Sequence, residues 1–120
     1  MSGHSFGEYV RQRRESLGKT LRGFAAELNI APAYLSDIEK GYRPAPRRHL
    51  QKFIKHLALE GSEIDVFYDL VGSEGRGGYP DLNEYVAKTP LARAALRRAR
   101  DVSLSDEQWR RIIDSMGELK

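Results

Sequence analysis

The sequence predicts an all-α chain, a five-helix domain followed by a small C-terminal module of about three helices. Three observations carry this. Apolar residues recur at spacings of three and four along almost the whole chain, the period of a helix with one buried face. No stretch alternates apolar and polar residues, and no Asn-Gly or Asp-Gly pair offers a hairpin turn. Four glycines fall within the seven residues Gly72 to Gly78. That composition gives a flexible hinge and divides the chain into a domain 1–71, a linker 72–78 and a module 79–120.

Ser5 and Glu8 form a capping-box pattern, in which the hydroxyl serves an orphan N–H and the carboxylate reaches back. A first helix therefore starts at Phe6, with Phe6, Val10 and Leu17 as its inner stripe and Gly18 as its stop. Thr20 caps a second helix, Leu21 to Leu28, with Leu21, Phe24, Ala25 and Leu28 facing inward. Only Asn29, Ile30 and Ala31 separate it from a third helix that begins at Pro32, because the first helical N–H has no partner to lose. Leu35 and Ile38 face inward and Gly41 ends it; Pro44 and Pro46 forbid continuation. A fourth helix carries Leu50, Phe53, Ile54 and Leu57, and a fifth, capped by Ser62, buries Ile64, Phe67 and Val71. Past the hinge, Asp81 to Ala87 carries Leu82, Tyr85 and Val86. Thr89 as cap and then Pro90 open a helix from Leu91 to Arg100 with Leu91, Ala95, Leu96 and Ala99 apolar. Ser105 and Gln108 form a second capping box, opening a helix with Trp109, Ile112, Ile113 and Met116.

A chain of 120 residues is too short for a large multi-lobed enzyme. With no cysteine it has no disulfide, thiolate zinc site or thiol nucleophile. His4, His49 and His56 lack metal-ligand spacing, and the Gly-rich segment lacks the Lys-Ser/Thr ending of a phosphate loop. With no nucleophile elbow and no paired carboxylates at metal spacing, the expectation is a non-enzyme without metal or cofactor. No apolar run approaches the roughly 20 residues of a membrane span. Met1 to Glu8 is polar, without a secretory layout, so a cytoplasmic location is expected and no membrane partner. Charge is unevenly placed. Residues 1–60 carry 11 Lys+Arg and 6 Asp+Glu, a net +5, whereas residues 61–120 carry 9 and 11, a net −2. A polyanion partner therefore belongs to the first half.

The second and third helices carry the strongest signal. A three-residue turn is too brief for antiparallel packing, so the two must cross steeply, with the small Ala25 at the closest approach. That is helix-turn-helix geometry, in which the outer face of the second helix can enter a major groove. The stretch Thr20 to Gly41, with Arg13-Arg14-Glu15-Ser16-Leu17-Gly18 before it, resembles the XRE/Cro–CI-like helix-turn-helix family of bacterial and phage regulators. The resemblance covers residues 6–58 and implies a lambda-repressor-like domain that binds double-stranded DNA. It places Pro32, Ala33, Ser36 and Asp37 toward the groove, and Thr20, Arg22 and Tyr34 near phosphates. Arg43, Arg47 and Arg48 form a basic cluster in the loop and helix start that follow, Arg47 at a position that lies against the backbone or minor groove. Arg14 and Glu39 match a pair that bridges the first and third helices. One departure stands out: the outward positions of the third helix hold no Arg, Gln or Asn, the side chains of bidentate base contacts. Discrimination is then expected from DNA shape and the arginine cluster.

Residues 79–120 are near the roughly 40-residue limit below which domains seldom stay folded without help. Their apolar stripes, above all Leu91, Leu96, Trp109, Ile112, Ile113 and Met116, are expected to pair with a second copy in a homodimer. The expected function is a dimeric repressor on an inverted-repeat operator. The alternative is an antitoxin-like or metallopeptidase-controlled regulator whose C-terminal module binds a toxin or peptidase partner.

Overall fold

The computed structural model describes residues 5–75 and 77–119, and those residues form helices and connections with no strand. The helices are α1 (Phe6–Ser16), α2 (Leu21–Leu28), α3 (Pro32–Glu39), α4 (Leu50–His56), α5 (Ser62–Ser73), α6 (Pro80–Lys88), α7 (Pro90–Val102) and α8 (Asp106–Met116). The chain divides into two compact units between Asp81 and Leu82. No helix among the described residues is long and apolar enough to cross a membrane.

The first unit is organised around the chain's four phenylalanines, one each from α1, α2, α4 and α5. Phe6 meets Phe67 edge-on at 5.3 Å between centroids and Phe53 at 6.0 Å, and Phe24 meets Phe53 edge-on at 5.9 Å. Edge-to-face rings place positive rim against negative face, adding to the area they take from water. Leu35 and Ile38 from α3 close this core, with Val10, Ala25, Leu28, Leu57 and Val71 filling between the rings. Close packing extends to backbone: a Cβ on Gly7 would collide with the carbonyl oxygens of Ile38 and Glu39, so α1 meets the last turn of α3 with no side chain between.

Local chemistry follows the sequence at most helix ends. The capping box at α1 is formed, Ser5 Oγ accepting from Glu8 N–H and Glu8 Oε1 from Ser5 N–H, both at 3.2 Å. Two expectations about the first unit are corrected. Leu17 is the C-cap residue of α1, where the chain turns away from the core, and is 38% exposed rather than part of the stripe. Ser62 is the first residue of α5 and not its cap; Gly61, with φ +57°, holds that position, and Glu63 Oε1 accepts from Glu60 N–H at 3.0 Å. The end of α4 is closed from outside its own sequence: Arg13 of α1 donates to Leu57 O and Ala58 O at 2.9 Å each, and to Glu63 at 3.3 Å. Helix α5 continues through Gly72, which is buried against the ring of Tyr79, to Ser73.

In the second unit each helix is locally well formed. Ser105 and Gln108 build the capping box of α8, at 2.9 and 3.1 Å. The expected cap at Thr89 is corrected: it occupies the cap position but makes no side-chain bond, and instead Arg93 donates to Val86 O at 2.8 Å and Ala87 O at 2.7 Å, serving the orphan carbonyls of α6. Among the described residues of this unit only Ala99 is buried. Leu82, Tyr85, Leu91, Leu96, Val102, Ile113, Met116 and Leu119 are exposed, and no two of the unit's helices pack along one another as α2 does on α3.

Candidate nucleic-acid interface

The turn between α2 and α3 is built from Asn29 in the left-handed region (φ 59°), a conformation that asparagine tolerates. Asn29 N–H bonds Ala26 O at 3.1 Å and Ile30 N–H bonds Ala25 O at 3.0 Å, so α2 ends abruptly and α3 starts at Pro32 in a new direction. Thr20 caps α2, its Oγ1 accepting from Gly23 N–H at 3.0 Å.

One side of α3 is fixed. Leu35 and Ile38 lie in the core, and Glu39 accepts a bidentate pair from Arg14, Nε to Oε2 at 2.7 Å and Nη2 to Oε1 at 2.9 Å. Arg14 Nη1 donates to Lys19 O at 2.8 Å, so the buried guanidinium has a partner on each edge, and its bond to Glu39 pushes its pKa further up. Two charges this dry are costly apart, so the pair locks the end of α3 to α1. The other side of α3 is open: Ala33 is exposed, and Pro32, Tyr34, Ser36 and Asp37 are half-buried.

The loop after α3 folds back on the helix. Asp37 O accepts from Tyr42 N–H at 2.8 Å and from Arg43 N–H at 3.3 Å. The Arg43 guanidinium sits 5.6 Å from the centroid of the Tyr34 ring, a cation–π distance, and Tyr34 also packs against the core. Arg43 is thus held against α3 by both its backbone N–H and its side chain. Arg22 and Arg48 are exposed, whereas Arg47 is half-buried and donates to Gly77 O at 3.4 Å and Gly78 O at 3.3 Å. Glu74 accepts from Ala45 N–H with both carboxylate oxygens, at 3.0 and 3.2 Å.

Two neighbours escaped the sequence reading. Lys40 and Tyr42 flank Gly41 and are exposed, Tyr42 by 75%. Their signal was compositional: residues 40–59 contain six Lys+Arg and no carboxylate. The roles of Glu74, Gly77 and Gly78 had no signal, since about thirty residues separate each from its partner.

A helix pair joined by a three-residue turn, with the second helix anchored on one side, open on the other, and followed by a cationic loop, defines a DNA-binding helix-turn-helix protein. The chain belongs to the helix-turn-helix family of the XRE/Cro–CI type: the family's helix-turn-helix domain matches residues 5–67. Among solved structures, the SinR protein/SinI protein complex is similar, with 20% identity, 93% of this chain and 94% of that chain covered, and a TM-score of 0.47. No curated protein sequence matches the chain significantly.

Proposed function

We propose that this DNA-binding regulator is a repressor that works as a homodimer on an inverted-repeat operator in the cytoplasm. In this reading Pro32, Ala33, Ser36 and Asp37 face base edges. Thr20, Arg22 and Tyr34 lie at the phosphates on one side of the groove, with Arg43, Arg47 and Arg48 on the other. The observation that carries it is the two-sided character of α3: locked to α1 by the Arg14–Glu39 pair, yet open at Ala33 and followed by residues 40–59, which hold six Lys+Arg and no Asp or Glu of their own. Thr20 spends an oxygen lone pair on its cap and keeps its O–H to donate to a phosphate.

A single helix-turn-helix reads few base pairs, and two related by a two-fold axis read half-sites about 34 Å apart. Support for self-association comes from the second unit, whose apolar residues Leu91, Leu96, Ile113 and Met116 are exposed while Trp109 and Ile112 are half-covered. Selection of bound fragments from the source genome, followed by titration across salt, tests the whole reading. Affinity should fall steeply with salt as counterions are released, and bound fragments should share an inverted repeat. Absence of binding to any duplex overturns it.

A further inference from the structure

We propose that Glu74, Gly77 and Gly78 act as a brace that shapes the arginine loop and positions Arg47 for a phosphate. This rests on the DNA-binding reading above. Pro44-Ala45-Pro46 contains one amide N–H, because proline has none, and both carboxylate oxygens of Glu74 accept from it at 3.0 and 3.2 Å. With Ala45 and Pro46 buried, that bond fixes how the loop leaves α3. Three residues further on, the carbonyls of Gly77 and Gly78 hold the two Nη atoms of Arg47 at 3.4 and 3.3 Å. A guanidinium carries five N–H donors, so three remain for an anion, and the side chain meets it with much of its rotamer freedom already spent.

The grip depends on backbone conformation. Gly77 and Gly78 have φ +85° and +72°, adjacent left-handed residues that turn two carbonyls toward one guanidinium. A Cβ on Gly77 would lie 3.4 Å from Arg47 Nη1, ordinary contact, so space does not demand glycine; the positive φ does. A β-branched residue at 77 or 78 would leave the left-handed region and withdraw the carbonyls. A segment composed like a passive hinge thereby acts as a positioning element for a residue thirty positions upstream.

The test uses the full chain and a short duplex selected from bound genomic fragments, with affinity measured across salt and the thermal midpoint of each variant. Arg47→Ala should reduce the steepness of log affinity against log salt by about 0.9, the loss of one phosphate contact. Gly77→Val and Gly78→Val should reproduce that reduction, with about three- to tenfold weaker binding and an unchanged thermal midpoint. Gly78→Asn, which tolerates the left-handed region, should keep the wild-type slope. Glu74→Ala should weaken binding, and Glu74→Gln, which retains an acceptor for Ala45 N–H, should do so less. Gly78→Val added to Arg47→Ala should cost nothing further. A wild-type slope and affinity in both valine variants, or losses that add fully to Arg47→Ala, would overturn the proposal while leaving the regulator reading intact. So would an Arg47→Ala variant that binds normally. Failure of the wild-type chain to bind any duplex takes both readings down.

Discussion

The two units of this chain use the same device, a helix with one apolar stripe, to opposite effect. In the first unit the stripes find each other. Four phenylalanines from four helices converge, and ten large side chains reach essentially complete burial. In the second unit α7 and α8 carry stripes just as regular, yet leave Leu91, Leu96, Ile113 and Met116 in water. The difference lies in number and size. All four phenylalanines fall before Asp81, and Ala92, Ala95 and Ala99 give α7 little to bury. Periodicity specifies a helix and its face; it does not specify what the face meets.

The strongest way to separate the two units is to open the first from within. Glu39→Ala leaves the buried Arg14 guanidinium with its main partner gone and should destabilise the first unit by about 3–5 kcal/mol. Trp109, the only tryptophan, lies in the second unit and reports on it alone. In a urea titration the circular dichroism transition should shift to lower denaturant while the Trp109 fluorescence midpoint holds. If both move together, the chain unfolds as one body and the two units are not independent.

The next effect sharpens the contrast by concentration. If the open stripes of α7 and α8 are covered by a second copy, the Trp109 transition should rise with protein concentration and that of the first unit should not. Trp109→Ala should cost the dimer about 2 kcal/mol, roughly thirtyfold in dissociation constant, and weaken DNA binding with it. Sedimentation showing the variant still fully dimeric would remove α8 from the interface.

Smaller still is the contrast between two threonines. Thr20→Ala deletes a formed cap and should cost about 1 kcal/mol. Thr89→Ala, at a position with no side-chain cap bond, should cost a few tenths at most. The smallest effect is electrostatic. The Glu27 carboxyl is held below its ordinary 4.5 by its hydrogen bond from Lys19, with the nearby charges of Lys19 and His56 adding to it. A carboxylate with a lowered folded pKa stabilises above its ordinary value, and that stability disappears as the pH falls through the folded one. Unfolding midpoints compared at neutral and acid pH should therefore show a slightly smaller acid-side loss in Lys19→Ala than in wild type.

Much of the first unit was legible because its signals are local. Ser5 with Glu8, Thr20 and Gly41 punctuate helices through bonds to residues within four positions, Pro32 does so by its fixed φ and missing N–H, and the spacing of Phe24, Leu28, Leu35 and Ile38 follows the helical period. Leu17 was misjudged because the stripe was extended into the C-cap, where the backbone has already left the helix. Ser62 was misjudged because a hydroxyl beside a glycine looks like a cap, whereas Gly61 takes the cap position through a backbone shape closed to most residues. On α3 the helical spacing marked Leu35 and Ile38 as the inward side, and the family resemblance supplied the side that Ala33 occupies. What shapes the arginine loop could not be read from the sequence: the Glu74–Ala45 and Arg47–Gly77 bonds join residues 29 and 30 positions apart, and neither glutamate nor glycine advertises such a partner.

Gly7 has a consequence for tracing this docking mode in other chains. Because its missing side chain lets α1 rest on the last carbonyls of α3, the angle at which α3 is held is partly written some thirty residues before that helix ends. A sequence that matches the helix-turn-helix segment but bears alanine here must tilt one rod against the other. Two such proteins could share every base-facing residue and still approach the double helix at different angles.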